Sequence, residues 1–165
     1  ETDLDEIIRT SVRKYARQFI AKKISLSYEP VETTVITDKK WLSFVIEQVI
    51  SNAVKYTKTG GIKIYLEDGD GTMSVPVQKA SHRKEDDGEN SGMKSVRLVI
   101  EDTGIGIRAE DLPRICEMGY TGCNGHEGQH SSGIGLYLCS RILKKLGHTF
   151  SITSKEGVGT VVKIG

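Results

Sequence analysis

Apolar residues recur at helical spacing over residues 3 to 22: Leu4, Ile7, Ile8, Val12, Tyr15, Phe19 and Ile20. The spacing predicts a first long helix, capped by Thr2 or Asp3. Ile24 to Tyr28 alternates like a strand, Pro30 turns the chain, and the β-rich run Thr33 to Ile36 follows, so the two runs read as a hairpin. Residues 38 to 57 read as a second long helix, with Thr37 or Asp38 at its N-cap and an apolar stripe of Leu42, Val45, Ile46, Val49 and Ala53. Thr59-Gly60-Gly61 ends it, and Ile62 to Leu66 and Val96 to Ile100 are strands. A short helix is expected over about Ala109 to Met118. A third long helix opens at Gly133-Ile134-Gly135-Leu136 and runs to Leu146, with Leu136, Leu138, Cys139, Ile142, Leu143 and Leu146 for burial. Gly147 stops it. His148 to Thr153 and Thr160 to Ile164 alternate as two last strands, with His148 as a strand-start residue.

The polar positions carry more chemistry than the apolar ones. Gln48, Asn52, Lys55 and Tyr56 fall at i, i+4, i+7 and i+8, one line along the second helix. This is either a mixed solvated face or a helix laid beside a ligand. An Asn carbonyl oxygen is a hard ligand that suits Mg²⁺, and a Lys ammonium can meet phosphate. Glu101-Asp102-Thr103-Gly104-Ile105-Gly106-Ile107 follows a strand. Its carboxylate can accept from a buried amine such as that of adenine, and its glycines let a backbone approach a flat ligand. A tight strand-to-helix turn explains the same residues. The glycine-rich stretch Gly119 to Ser132 has no periodicity and reads as a lid. Gly133 and Gly135 then feed a helix N-terminus, whose free N–H groups and positive dipole end suit phosphate, unless they only permit close packing. Within the lid, Cys123, His126 and His130 have a C-x₂-H-x₃-H spacing, but with no clear fourth ligand the spacing does not make a zinc site.

Composition narrows the classes. The 165 residues suffice for one domain with a real core, spanning 1–165, and the net charge of +1 argues for neither nucleic acid nor an anionic membrane. No apolar run is long enough to span a bilayer, so the chain is not expected to be membrane-inserted. Cys116, Cys123 and Cys139 form no C-x-x-C pair and read as free thiols of a reducing cytoplasm. Residues 67 to 95 are long, polar and charge-rich, and read as a mobile loop between two antiparallel neighbours, with Ser74 to Val77 extending one of them. The first residue is Glu1, not Met, and the chain is read as part of a longer protein.

Taken in order, Asn-x-x-Lys-Tyr on a helix, Asp-x-Gly-x-Gly after a strand, a glycine-rich lid, Gly-x-Gly at a helix start and Gly-x-Gly-Thr between late strands closely resemble the N, G1, F, G2 and G3 boxes of sensor histidine kinases. Those belong to a superfamily shared with DNA gyrase B, Hsp90 and MutL. The resemblance covers roughly Asp3 to Ile164. Gly119-Tyr120-Thr121-Gly122-x-Asn124-Gly125 and Gly133 to Cys139 look most like small membrane kinases of Gram-positive bacteria that answer peptide antibiotics.

The resemblance implies an α+β fold, a two-layer α/β sandwich of the Bergerat type. A mixed sheet of about five strands would carry three helices on one face, with an ATP lid at about 108–132. It implies ATP and Mg²⁺ as ligands. Asn52 would coordinate the metal, Lys55 would contact phosphate, and Tyr56 would pack on the nucleotide. Asp102 would bind the adenine amino group, with Gly104 and Gly106 admitting it. Gly133, Gly135 and Leu136 would meet the phosphates, Tyr120 would stand in for the lid aromatic, and Thr160 would help fix Asp102 or its water. No G-x-x-x-x-G-K-[ST] is present, so this is not a P-loop.

Three positions depart from the pattern. Gln48 stands where ATPase relatives have a water-activating Glu, and a Gln cannot be that base, which favours transfer over hydrolysis. Glu47 is then a candidate base, although it lies about 100° round the helix. The lid lacks its usual aromatic near Cys116 and Gly119, and the 67–95 excursion is longer than usual. None of His82, His126, His130 or His148 lies in a motif resembling H-E-[ILV]-K-T-P, so the phosphoacceptor is expected on a separate helical dimerisation domain. The implied partners are that domain, a response regulator and a second copy in a full-length homodimer. The setting would be the cytoplasmic side of a bacterial membrane sensor. A regulatory ATP/ADP-binding module and an anti-sigma-type Ser/Thr kinase are the alternatives.

Overall fold

Asp3 caps the first helix, its carboxylate accepting the Glu6 N–H at 3.2 Å. In this computed structural model, which describes residues 1–31, 33–69, 95–122 and 133–165, the expected single helix over 3–22 is two. α1 is Leu4–Lys14 and α2 is Ala16–Lys22. Tyr15 breaks them apart with φ −100° and ψ 5°. The break turns the second half so that Phe19 reaches the core while Ile20, assigned to the same apolar stripe, is left 77% exposed.

The expected hairpin between the next two strands does not form. β2 (Ser25–Tyr28) pairs in parallel with β4 (Gly61–Asp68), Ser25 opposite Gly61 and Tyr28 opposite Ile64. β3 (Thr34–Val35) pairs antiparallel with β1 (Thr2–Asp3) in a separate two-stranded ribbon. Parallel neighbours need a long crossover. Here it is supplied by α3 (Lys39–Tyr56), which Asp38 caps by accepting the Trp41 N–H.

β4 continues antiparallel into β5 (Val96–Asp102), as the polar excursion between them predicted, although 70–94, with Ser74 to Val77, lie outside the described residues. β7 (Gly159–Ile164) lies beside β5, and β6 (Phe150–Lys155) forms the far edge. The sheet order is β2-β4-β5-β7-β6, mixed, with one parallel pair. Alternate residues Ile62, Ile64, Leu66, Leu98, Ile100, Val162 and Ile164 are buried in one core with α3. α1 packs on α3, and α3 packs on α4 (Gly135–Leu146). Cys139 and Leu143 are the buried positions of α4, whereas Leu138, expected inside, is exposed.

The short helix expected over 109–118 is only a 3₁₀ turn, Leu112–Arg114. Pro113 cannot donate to the carbonyl a continuous helix would offer it. On the sheet's other face, the buried carboxylate of Glu67 is held by Lys163 at 2.8 Å and Arg97 at 3.4 Å. Arg97 comes from the antiparallel neighbour β5, directly opposite Glu67, and Lys163 reaches over from β7 beyond it.

Candidate functional site

α3, the loop after β5, the stretch after it and the start of α4 converge on one cleft of about 420 Å³. The polar stripe reaches it from α3: Gln48, Asn52, Lys55 and Tyr56 all line the cleft. The Lys55 ammonium lies 5.1 Å from the centre of the Tyr56 ring, so the two side chains share one position. Ser51, which periodicity did not single out, lines it too.

Glu47 does not line the cleft. One residue before Gln48, it points round the helix to α1 and forms an ion pair with Lys14. The bond to Glu47 raises the Lys14 pKa. The expected base is therefore a strut between α1 and α3 in this structure.

Asp102 ends β5 opposite Thr160 of β7. Its carboxylate accepts the Gly104 N–H at 2.8 Å. Burial pushes its pKa up to about 6, against the pull of the backbone N–H groups of Gly104 and Thr160. An aspartate that costs so much to ionise, facing a cleft, is poised to accept a ligand donor. The Thr160 hydroxyl is engaged with Ser154 at 2.8 Å. Ser154 donates to the Gly159 carbonyl at 2.9 Å and accepts the Ile107 N–H at 2.8 Å. Thr160 thus supports Asp102 through its main chain, while Ser154, absent from the sequence reading, ties the Asp102 loop to the β6–β7 turn.

The two glycines after Asp102 differ in role. Gly106 lines the cleft at φ +70°, and a Cβ there would strike the Lys155 carbonyl. Gly104 does not line it. A Cβ at Gly104 would lie 2.7 Å from the Tyr56 carbonyl oxygen, so it lets the Asp102 loop seat against the last turn of α3 rather than admitting a ligand. The Ile105 N–H donates to that same carbonyl at 3.1 Å.

Gly133 and Gly135, with Leu136, line the opposite wall. Gly133 has φ +68°, its carbonyl accepts the Gly119 N–H at 3.0 Å, and a Cβ would meet the Gly119 carbonyl carbon at 2.5 Å. The two ends of the glycine-rich stretch are therefore tied together. Tyr120 lines the cleft with Thr121. Its hydroxyl donates to the buried Asp111 carboxylate and its ring lies 4.3 Å from the Arg114 guanidinium carbon. Asp111 was missed because nothing local marks an acid in a turn for burial. Cys123, His126 and His130 lie outside the described residues. Among the described residues no group of three or more His, Cys, Asp or Glu is placed to hold a metal, and Cys116 and Cys139 are free thiols.

The chain belongs to the family of histidine kinase-, DNA gyrase B- and HSP90-like ATPases, whose family model matches residues 37–165. It is 33% identical over 164 residues to the sensor histidine kinase YxdK of Bacillus subtilis, covering 97% of this chain and 43% of that protein. It is 30% identical to the sensor protein BceS of Halalkalibacterium halodurans, covering 97% of this chain and 41% of that protein. Over 134 residues it is 34% identical to the sensor protein kinase GraS of Staphylococcus aureus, 81% of this chain and 32% of that protein. The chain thus spans less than half the length of these relatives. Its fold is that of the catalytic domain of histidine kinase ThkA, with a TM-score of 0.71 at 19% identity, covering 98% and 92% of the two chains. Full-length ShkA, solved in complex with AMPPNP, gives a TM-score of 0.70 at 19% identity, covering 99% of this chain and 29% of that one.

Proposed function

We propose that this chain is the ATP-binding catalytic domain of a bacterial sensor histidine kinase, which passes the ATP γ-phosphoryl group to a histidine on a separate dimerisation domain. The observation that carries the reading is convergence: Asn52 and Lys55, Asp102, and the Gly133–Gly135 helix start, 83 residues apart in sequence (52 to 135), face one cleft. Asp102 would accept from the adenine amino group, and Tyr56 would cover the base. Lys55 and the first N–H groups of α4 would meet the phosphates.

The cleft fits magnesium. Asn52, which lines the cleft, would offer a hard amide oxygen, and Mg²⁺ is commonly held by few protein oxygens together with phosphates and water. When bound, the metal neutralises phosphate charge. This chain's residues then orient the γ-phosphorus for in-line attack by an imidazole nitrogen. The P–N bond forms as the bond to the β-phosphate oxygen breaks, and ADP leaves. Gln48, an amide at the cleft, has no basic group to activate water, which supports transfer over hydrolysis.

A response regulator, a homodimer and the cytoplasmic side of a membrane sensor belong to the same proposal. No helix among the described residues is long and apolar enough to cross a membrane. The likeness of the lid sequence to kinases that answer peptide antibiotics supports that class of stimulus.

Calorimetric titration with Mg-ATP, beside Asp102→Asn, is the test. Micromolar binding is expected, weakened at least about tenfold in the variant. Transfer of ³²P to a supplied dimerisation domain follows. Binding with no transfer would leave a regulatory nucleotide module instead.

A further inference from the structure

α3 ends without a glycine, and the residue after it, Thr57, is extended at φ −94° and ψ 111°. The last carbonyls of such a helix have no partner of their own. Here each finds a donor. Ala53 receives the Thr57 N–H at 3.1 Å, and Tyr56 receives the Ile105 N–H at 3.1 Å. The two between them, Val54 and Lys55, both receive the ammonium of Lys22, at 2.6 and 3.1 Å. Lys22 is the last residue of α2. Burial lowers its pKa.

We propose that Lys22 is a positioning residue of the nucleotide cleft, clamping the last turn of α3 so that Lys55 and Tyr56 keep their places in it. The inference rests on the nucleotide-site reading above. An ammonium has three donors, enough to span two carbonyls, and its charge suits the negative end of the helix dipole. The peptides it grips are those from which Lys55 and Tyr56 project. Both side chains line the cleft, and they stack on each other. Ile105 holds the next carbonyl, and Gly104 lets the Asp102 loop lie against it. The turn is thus gripped by both α2 and the Asp102 loop. A displacement on the order of 1 Å at such a turn is enough to spoil contacts with a phosphate chain.

The test is Mg-ATP affinity by calorimetry for Lys22→Met, Lys22→Arg and the neighbouring exposed Lys23→Met. Lys22→Met is expected to weaken ATP about fivefold, Lys22→Arg to stay within about twofold of wild type, and Lys23→Met to change nothing. A helix cap that only stabilised the fold would lower the melting temperature without coupling to Lys55. The deciding readout is therefore a double-mutant cycle. In a Lys55→Met background, Lys22→Met is expected to cost only about twofold more, because its effect runs mainly through Lys55. Wild-type affinity in Lys22→Met, or a full fivefold loss repeated on Lys55→Met, overturns the proposal. Should Lys22→Met not fold, Lys22→Gln carries the same test: its amide is one bond too short to bridge both carbonyls, and unchanged affinity in it overturns the proposal. If the wild-type protein does not bind Mg-ATP, the nucleotide-site reading falls and takes this inference with it. A binding wild type beside an unaffected Lys22→Met removes this inference alone.

Discussion

Gln48 and Gly135 meet across the cleft: a Cβ on Gly135 would stand 2.9 Å from the Gln48 side-chain oxygen. The polar stripe of α3 and the start of α4 are therefore packed to within one methyl group of each other. Gly135→Ala is expected to push the Gln48 amide aside and weaken Mg-ATP several-fold with the fold intact, and Gln48→Ala in the same chain is expected to restore most of the loss. Gly133→Ala is the harsher change, because its neighbour is Gly119 backbone and its φ is +68°. It is expected to cost about 1–3 kcal/mol in the local backbone and to abolish measurable binding. Titration calorimetry with thermal melting separates the two outcomes.

Asp102 makes nucleotide affinity depend on pH. Its folded pKa is raised to about 6, so the carboxylate is ionised above that pH and carries a proton below it. An adenine amino group donates better to the ionised form. Binding is thus expected to be full at pH 7 and to weaken about tenfold by pH 5. Asp102→Asn should abolish this part of the pH dependence, and subtracting its curve cancels the titration of the phosphates. The same shift has a stability consequence of opposite sign. Because the folded state holds the proton more tightly than the unfolded one, stability from this group falls as pH rises from about 4 to about 6.

Glu47 is expected to matter little to nucleotide binding. It lies outside the cleft in a pair with Lys14, whose side chain is 62% exposed. Glu47→Gln should leave Mg-ATP affinity within about twofold of wild type, and its effect on melting should shrink in high salt, as for any exposed pair. A transfer rate to a supplied dimerisation domain that collapsed in Glu47→Gln would show that Glu47 leaves Lys14 to act as a base.

Glu67 is a stability determinant remote from the cleft. Its side chain is 5% exposed and its pKa is lowered, chiefly by the bond to Lys163 and against its own burial. A depressed carboxylate contributes stability that is present above its unfolded pKa and is lost as pH falls through the folded value. Glu67→Gln should flatten the acid limb of the melting curve. Lys163→Met should destabilise by about 2 kcal/mol, less than for a fully buried pair because Arg97 remains and Lys163 is one-third exposed.

The helices and strands whose burial repeats with their own period were legible in the chain. α3 shows this best, since its apolar face and its polar stripe both follow from 3.6-residue spacing. The antiparallel β4–β5 pair was legible because it links neighbours in sequence, and β6 and β7 were legible as strands, their pairing being added by the structure. The break at Tyr15 was not, because one helical period runs through it and only the need to seat Phe19 distinguishes the halves. Nor was the partner of β2. Its alternation fits a hairpin as well as a parallel edge, and the choice depends on where α3 carries the chain next.

Sequence alone determined which chemical groups the cleft would hold: an amide, an ammonium, a phenol and a carboxylate, with glycines at the turns. Residue type and local spacing are properties of the chain and survive without a fold. Only the tertiary structure decided what Glu47, off that stripe, does instead: it pairs with Lys14, because α1 packs on α3. It also decided the partners that no spacing encodes: Ser154 beneath Thr160, Asp111 behind Tyr120, and Lys22 at the end of α3. These join residues far apart in the chain or in turns without a period, so their contacts exist only once the sheet and helices are assembled.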